Sequence, residues 1–179
     1  MINDAILPTG TQYEISHGPW QAIVTEQGAT LRSLHYEGTD VIKSFDADQS
    51  PTSSQGQQLL PWPNRIRDGH YTFDGMEQQL AVSEVDRHNA IHGLVAWSRW
   101  SLVEHTDTSV TQTIRIMARP GWPGTISVRL THRLSDAGLA VEVTARNVGT
   151  TAVPFGYAAH PYLCLLYTSD AADEEDSGD

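Results

Sequence analysis

Along most of this chain polar and apolar residues alternate one by one. In TISVRLTHRL, Ile126, Val128, Leu130 and Leu134 fall on one side, and Thr125, Ser127, Arg129, Thr131 and Arg133 fall on the other. A strand with one buried face produces this period of two. After the turn residues SDAG, the stretch LAVEVTARNV repeats the pattern, with Leu139, Val141, Val143 and Ala145 opposed to Glu142, Thr144 and Arg146. The two runs predict an antiparallel hairpin. YTFDGMEQQL places Asp74-Gly75 where a tight type I′ turn needs positive φ, and WSLVEHTDTSVTQTIRIMA carries two alternating runs around Thr106 to Ser109. QAIVTEQGATLRSLHY adds a further pair, broken at Gly28. Nowhere does an apolar stripe recur at helical spacing over about twelve residues. The predicted class is therefore all-β, a large antiparallel β-sandwich, with SFDADQSPTSSQGQQ as a long polar connection.

Length and charge refine this picture only slightly. The 179 residues suffice for one core of ordinary size. The formal charge is -11; six acidic residues lie between Asp170 and Asp179, so the remainder carries -11 + 6 = -5. That is an ordinary surface without the basic face that nucleic acid requires. MINDAILPTG has neither the positive start nor the apolar run of a secretory signal, and no segment approaches the roughly 20 apolar residues of a membrane span. The expected location is the cytoplasm, with no membrane partner. Cys164 is the only cysteine, which excludes an internal disulfide and a Cys-based metal site.

Candidate chemistry sits between the strands. LLPWPNRIRDGHY, residues 59 to 71, presents Trp62, Asn64 and Arg65 on a backbone stiffened by two prolines. An Arg65–Asp68 surface pair and a gap-filling Trp62 account equally well for those residues. RHNAIHGLVAW, residues 87 to 97, carries His88, Asn89 and His92 before Gly93. Histidines four apart share a face only on a helix, and Asn and Gly oppose one, so no metal site is expected. PFGYAAHPYL, residues 154 to 163, contains His160, held extended by the following proline. Each histidine taken singly is also accounted for as a hydrogen-bonded structural residue.

Together and in this order, NRIRDGHYTFDG at 64 to 75, NAIHGL at 89 to 94 and HPYL at 160 to 163 resemble the aldose 1-epimerase family, the galactose mutarotases. The resemblance implies a large antiparallel β-sandwich, which agrees with the strand pattern. It also implies a small-molecule hexose as substrate and a reaction that interconverts its anomers, with no cofactor. Opening the ring requires a proton to leave the C1 hydroxyl while another reaches the ring oxygen. Imidazole titrates near neutrality and suits that exchange. By resemblance His160 is the acid, His92 and Arg65 hydrogen-bond the sugar, and Asn64 stands beside them. The alternative is a carbohydrate-binding β-sandwich without catalysis.

The family's general base is a glutamate that follows the HPYL segment, and the chain offers no matching continuation. The expectation is thus a C-terminally truncated, inactive fragment: residues 1 to 163 form the N-terminal part of the domain, and 164 to 179 form a non-native, disordered acidic tail. Glu84 and Asp86 precede the His92 segment, but nothing in their spacing selects either as a replacement base, and surface solvation explains both. Oligomeric state is not encoded in any of these patterns.

Overall fold

The computed structural model describes residues 6 to 164. Its strands are β1 (Gln12–His17), β2 (Trp20–Thr25), β3 (Leu31–Tyr36), β4 (Thr39–Asp40), β5 (Gln58–Leu59), β6 (Arg65–Arg67), β7 (His70–Phe73), β8 (Met76–Gln79), β9 (Asn89–Ile91), β10 (Ser101–His105), β11 (Ser109–Ile116), β12 (Ile126–Ser135), β13 (Gly138–Asn147) and β14 (Ala158–Ala159). Among the described residues the sole helical element is a 3-10 turn at Val85–Arg87. None is long and apolar enough to cross a membrane.

Two four-stranded antiparallel sheets, ordered β1-β2-β3-β4 and β10-β11-β12-β13, pack face to face. Tyr13, Ile15, Val24, Leu31 and Leu34 of the first meet Val110 and Leu134 of the second. A second apolar cluster gathers Leu60, Leu80, Trp100, Ile116, Trp122, Val128 and Leu130. Each fully buried Val or Leu here contributes about 1.5–3 kcal/mol.

The predicted hairpins form. β12 and β13 pair from Ile126↔Asn147 to Ser135↔Gly138. Asp74 and Gly75, at φ 50 and 73, close β7 onto β8 as a two-residue loop. Residue 132 extends the inward series of β12, so His132 is fully buried between Val110 and Val141, with neither ring nitrogen hydrogen-bonded. The apolar stripe of β13 is covered less well, and Val141 is 37% exposed.

Two details depart from the sequence pattern. Segments 59–71 and 87–97 contain strands, since β6 pairs with β9 through Arg65↔Ile91, Ile66↔Ala90 and Arg67↔Asn89. Strands of three residues are too short to show a period. The connection between β4 and β5 is irregular as expected, but Gln55, Gln57 and Gln58 are buried. Their amides donate to the carbonyls of Lys43, Ala96 and Ala29, pairing these buried side chains with backbone acceptors.

Candidate functional site

The β6–β9 ladder sets Arg65 across from Ile91 and brings Asn64 and His92 together at its end. Both of these residues adopt left-handed backbone, at φ 60 and 61. This conformation lets the His92 amide donate to the Asn64 carbonyl at 2.9 Å, while the Asn64 amide donates to His92 Nδ1 at 3.1 Å. The second bond makes Nδ1 an acceptor, so the neutral ring carries its proton on Nε2. Gly93 follows at φ 80, and a Cβ there would run into the Leu60 carbonyl. Glycine thus lets the chain pass close to β5.

His160 arrives from the other side. It extends the β5–β14 pair: its amide donates to Gln57 O at 3.1 Å, and its carbonyl accepts from Gly56 N at 2.9 Å. The rings of His92 and His160 meet edge to face, with centroids 5.5 Å apart and planes at 84°. Tyr162 lies against His160 at 5.2 Å and 33°. Its hydroxyl donates to Ser53 O at 3.0 Å, anchoring that ring to the long connection. Burial holds the His92 pKa below the ordinary histidine value, with neighbouring His160 and then Arg65 pushing the same way. His92 is neutral at pH 7.

Arg65 pairs with Glu84, not with Asp68. Its Nε and Nη2 each donate to one oxygen of that carboxylate at 2.7 Å, a bidentate fork. Asn89 Nδ2 adds a third donor at 2.9 Å. Hydrogen bonding from Arg65, then from Asn89, drives the Glu84 pKa down to about 2. Glu84 is therefore neither a loosely solvated surface acid nor a base for neutral pH. Nη1 of Arg65 is the guanidinium nitrogen left outside the fork, 3.4 Å from Asn64 Oδ1.

The four residues singled out in the sequence, Asn64, Arg65, His92 and His160, thus lie in one neighbourhood on an open face. The cavity of about 540 Å³ beneath the connection from residue 41 to 57 touches none of them. Trp62 faces the core, packing on Trp122 at 6.3 Å between ring centroids. His88 ends the 3-10 turn in left-handed conformation and is exposed, so it shares no helical face with His92. Asp86 is exposed on that turn. Sequence spacing gave no sign of Glu84 as Arg65's partner or of Asn89 as the second donor to that carboxylate, because strand pairing, not proximity in sequence, unites them. Tyr162 was within a recognised motif, and its anchoring to Ser53 across 109 residues is visible only in three dimensions.

The family model for aldose 1-epimerase matches residues 11–175. Two proteins of Escherichia coli K12 are similar over most of the chain. The uncharacterized protein YihR is 36% identical over 162 residues, 90% of this chain and 53% of its own length. The uncharacterized protein YphB is 27% identical over 159 residues, 87% of this chain and 52% of its own. Among solved structures, a GalM/aldose epimerase homologue from C. elegans superposes with a TM-score of 0.75 at 22% identity, covering 88% of this chain and 52% of that one. The chain spans about half the length of the relatives it matches. A family match over that range, on a sandwich of the same fold, places this chain in the aldose 1-epimerase family.

Proposed function

We propose that the protein is an aldose 1-epimerase acting on a free hexose, with His160 exchanging a proton with the ring oxygen. The observation that supports this most directly is the edge-to-face contact between His160 and His92 at 5.5 Å. Two imidazolium charges at 5.5 Å would repel by about 3 kcal/mol at an effective dielectric near 20, so the pair resists holding two protons. With the His92 pKa depressed by burial, the role of acid falls to His160. His92, neutral and with Nε2 carrying the proton, is suited to donate one oriented hydrogen bond to a sugar oxygen. Arg65, fixed by Glu84 and always charged, supplies the second point of attachment through Nη1.

Ring opening also needs a base for the C1 hydroxyl. Glu84 cannot serve while Arg65 and Asn89 hold it, so in this proposal the base comes from outside the described residues. Polarimetry on freshly dissolved α-glucose and α-galactose tests the proposal with the full-length product of the gene that contains this chain. Mutarotation above the buffer rate, abolished by His160→Asn, is expected; a buffer rate from the folded protein refutes it. The commitment of Glu84 to Arg65 favours one second reading, a non-catalytic carbohydrate-binding module. Under that reading both sugars bind, and His160→Asn leaves affinity intact with no turnover to lose.

A further inference from the structure

The connection from residue 41 to 57 folds back over the outer face of β3 and walls one side of an open pocket of about 540 Å³. That volume lies within the roughly 300–1,000 Å³ of small-molecule sites. Its charged lining comprises Arg32, His35, Asp40, Lys43 and Asp46, and those charges are unevenly satisfied. Asp40 Oδ1 lies 2.8 Å from His35 Nε2 and accepts from Ser44 Oγ at 3.1 Å. Asp46 Oδ2 accepts from Gln49 Nε2 at 3.2 Å. The two basic side chains have no such partner: among the described residues no carboxylate lies within ion-pair distance of Arg32 or Lys43.

Arg32 is the more constrained of the two. The β2–β3 register shifts between Ile23 and Val24, and Arg32 falls at that irregularity. Its Nη1 donates to the Phe45 carbonyl at 2.9 Å, while Nε is buried without a partner. Beside it Ser33 is buried, and its hydroxyl is also without a partner. A guanidinium keeps its charge under all ordinary conditions, so a half-buried one whose Nε is buried without a partner carries a cost that an oxyanion offsets. A bare phosphate would fill little of such a volume. Ser44, Ser50 and Thr52 around the rim suit a ligand that also carries hydroxyls.

From this arrangement we infer that the cavity beneath the 41–57 connection binds a small hydroxylated organic oxyanion, held by Arg32 and Lys43 and separate from the histidine site. The anionic group is a carboxylate or a phosphate, and the two sources are distinguished by probe. The uniformly ¹⁵N-labelled chain is titrated at low salt with galacturonate, with galactose 6-phosphate and with neutral galactose. Saturable shifts of the Ser33, His35 and Ser44 amides with either anion, and none at those positions with galactose, are expected. A response to galacturonate alone assigns a carboxylate, and one to galactose 6-phosphate alone assigns a phosphate. Lys43→Met, at an exposed position, weakens binding about threefold or more. Asp46→Asn, which removes a nearby negative charge, tightens it by about the same factor at low salt, a gain that misfolding cannot produce. His160→Asn leaves the affinity unchanged, so this result is independent of the fate of the epimerase proposal. Absence of saturable shifts with both anions, or affinities indifferent to Lys43→Met and Asp46→Asn, overturns the inference.

Discussion

Replacing His132 by leucine should flatten the acid limb of this protein's stability profile. The ring is fully buried, flanked on its face of β12 by Leu130 and Leu134 and opposite Val110 and Val141. Burial alone lowers its pKa from 6.5 to about 4. The unfolded chain therefore takes up a proton near pH 6.5 that the folded chain refuses until about pH 4. Stability is at its full value above the unfolded pKa and is lost as pH falls towards the folded one. The shift of about 2.5 units corresponds to about 3 kcal/mol over the whole window, of which about 2 kcal/mol is gone by pH 5. Leucine has no proton to exchange, and it also removes two buried nitrogens without partners, each a cost of about 1–3 kcal/mol.

Urea unfolding followed by tryptophan fluorescence at pH 7.5, 6 and 5 measures this directly. The difference between wild type and His132→Leu isolates residue 132, because the smaller contribution from His92, of the same sign, is present in both. The expected result is a variant at least as stable at pH 7.5 and about 2 kcal/mol better relative to wild type at pH 5. An equal loss in both proteins refutes the assignment, as does an NMR titration that puts the His132 ring near 6.5.

Other expectations concern the site. In the proposed epimerase, Glu84→Gln removes the carboxylate that fixes Arg65, so KM for the proposed hexose substrate should rise roughly tenfold with kcat changed far less; an unchanged KM would mean that the fork does not orient Arg65 for substrate. The same change takes away the negative charge that raises the His92 pKa, so His92 should titrate lower still, as its Hε1 resonance would report. His160→Asn should cut mutarotation at least about 100-fold while sugar binding persists, and full activity in that variant would remove His160 from the mechanism. Gly93→Ala forces a Cβ onto the Leu60 carbonyl at positive φ; a loss of about 2 kcal/mol or more is expected, and an unaltered urea midpoint would contradict it.

Much of the fold was legible in the sequence because long strands advertise themselves. β12 and β13 run ten residues each, enough for the alternation to repeat five times in each. The Asp74-Gly75 turn was legible for a different reason, since few residue pairs adopt its backbone without strain. β5, β6, β9 and β14 were not legible: with two or three residues they have no period, and they exist because their neighbours supply a pairing edge. The buried glutamines of the long connection misled in another way. Composition marks such a stretch as polar and hence exposed, but an amide with two donors and an acceptor can serve the interior when carbonyls await it.

Sequence order singled out Asn64, Arg65, His92 and His160, which the fold brings together, yet it could not say which acid belongs with which base. Arg65 and Asp68, three residues apart, looked like natural partners, whereas the actual partner stands 19 positions away. β6 and β9 run antiparallel, Asn89 lies opposite Arg67, and Glu84 turns back through the 3-10 segment to bridge to Asn89. The ion pair is thus a product of strand register, which no local motif encodes. Its consequence is chemical as well as structural. The Glu84 carboxylate is committed to holding a cation in place, and the two histidines are left facing each other with the permanent positive charge of Arg65 nearby. A second proton on the pair is thereby disfavoured, and His92 is the ring that burial and these neighbours keep neutral.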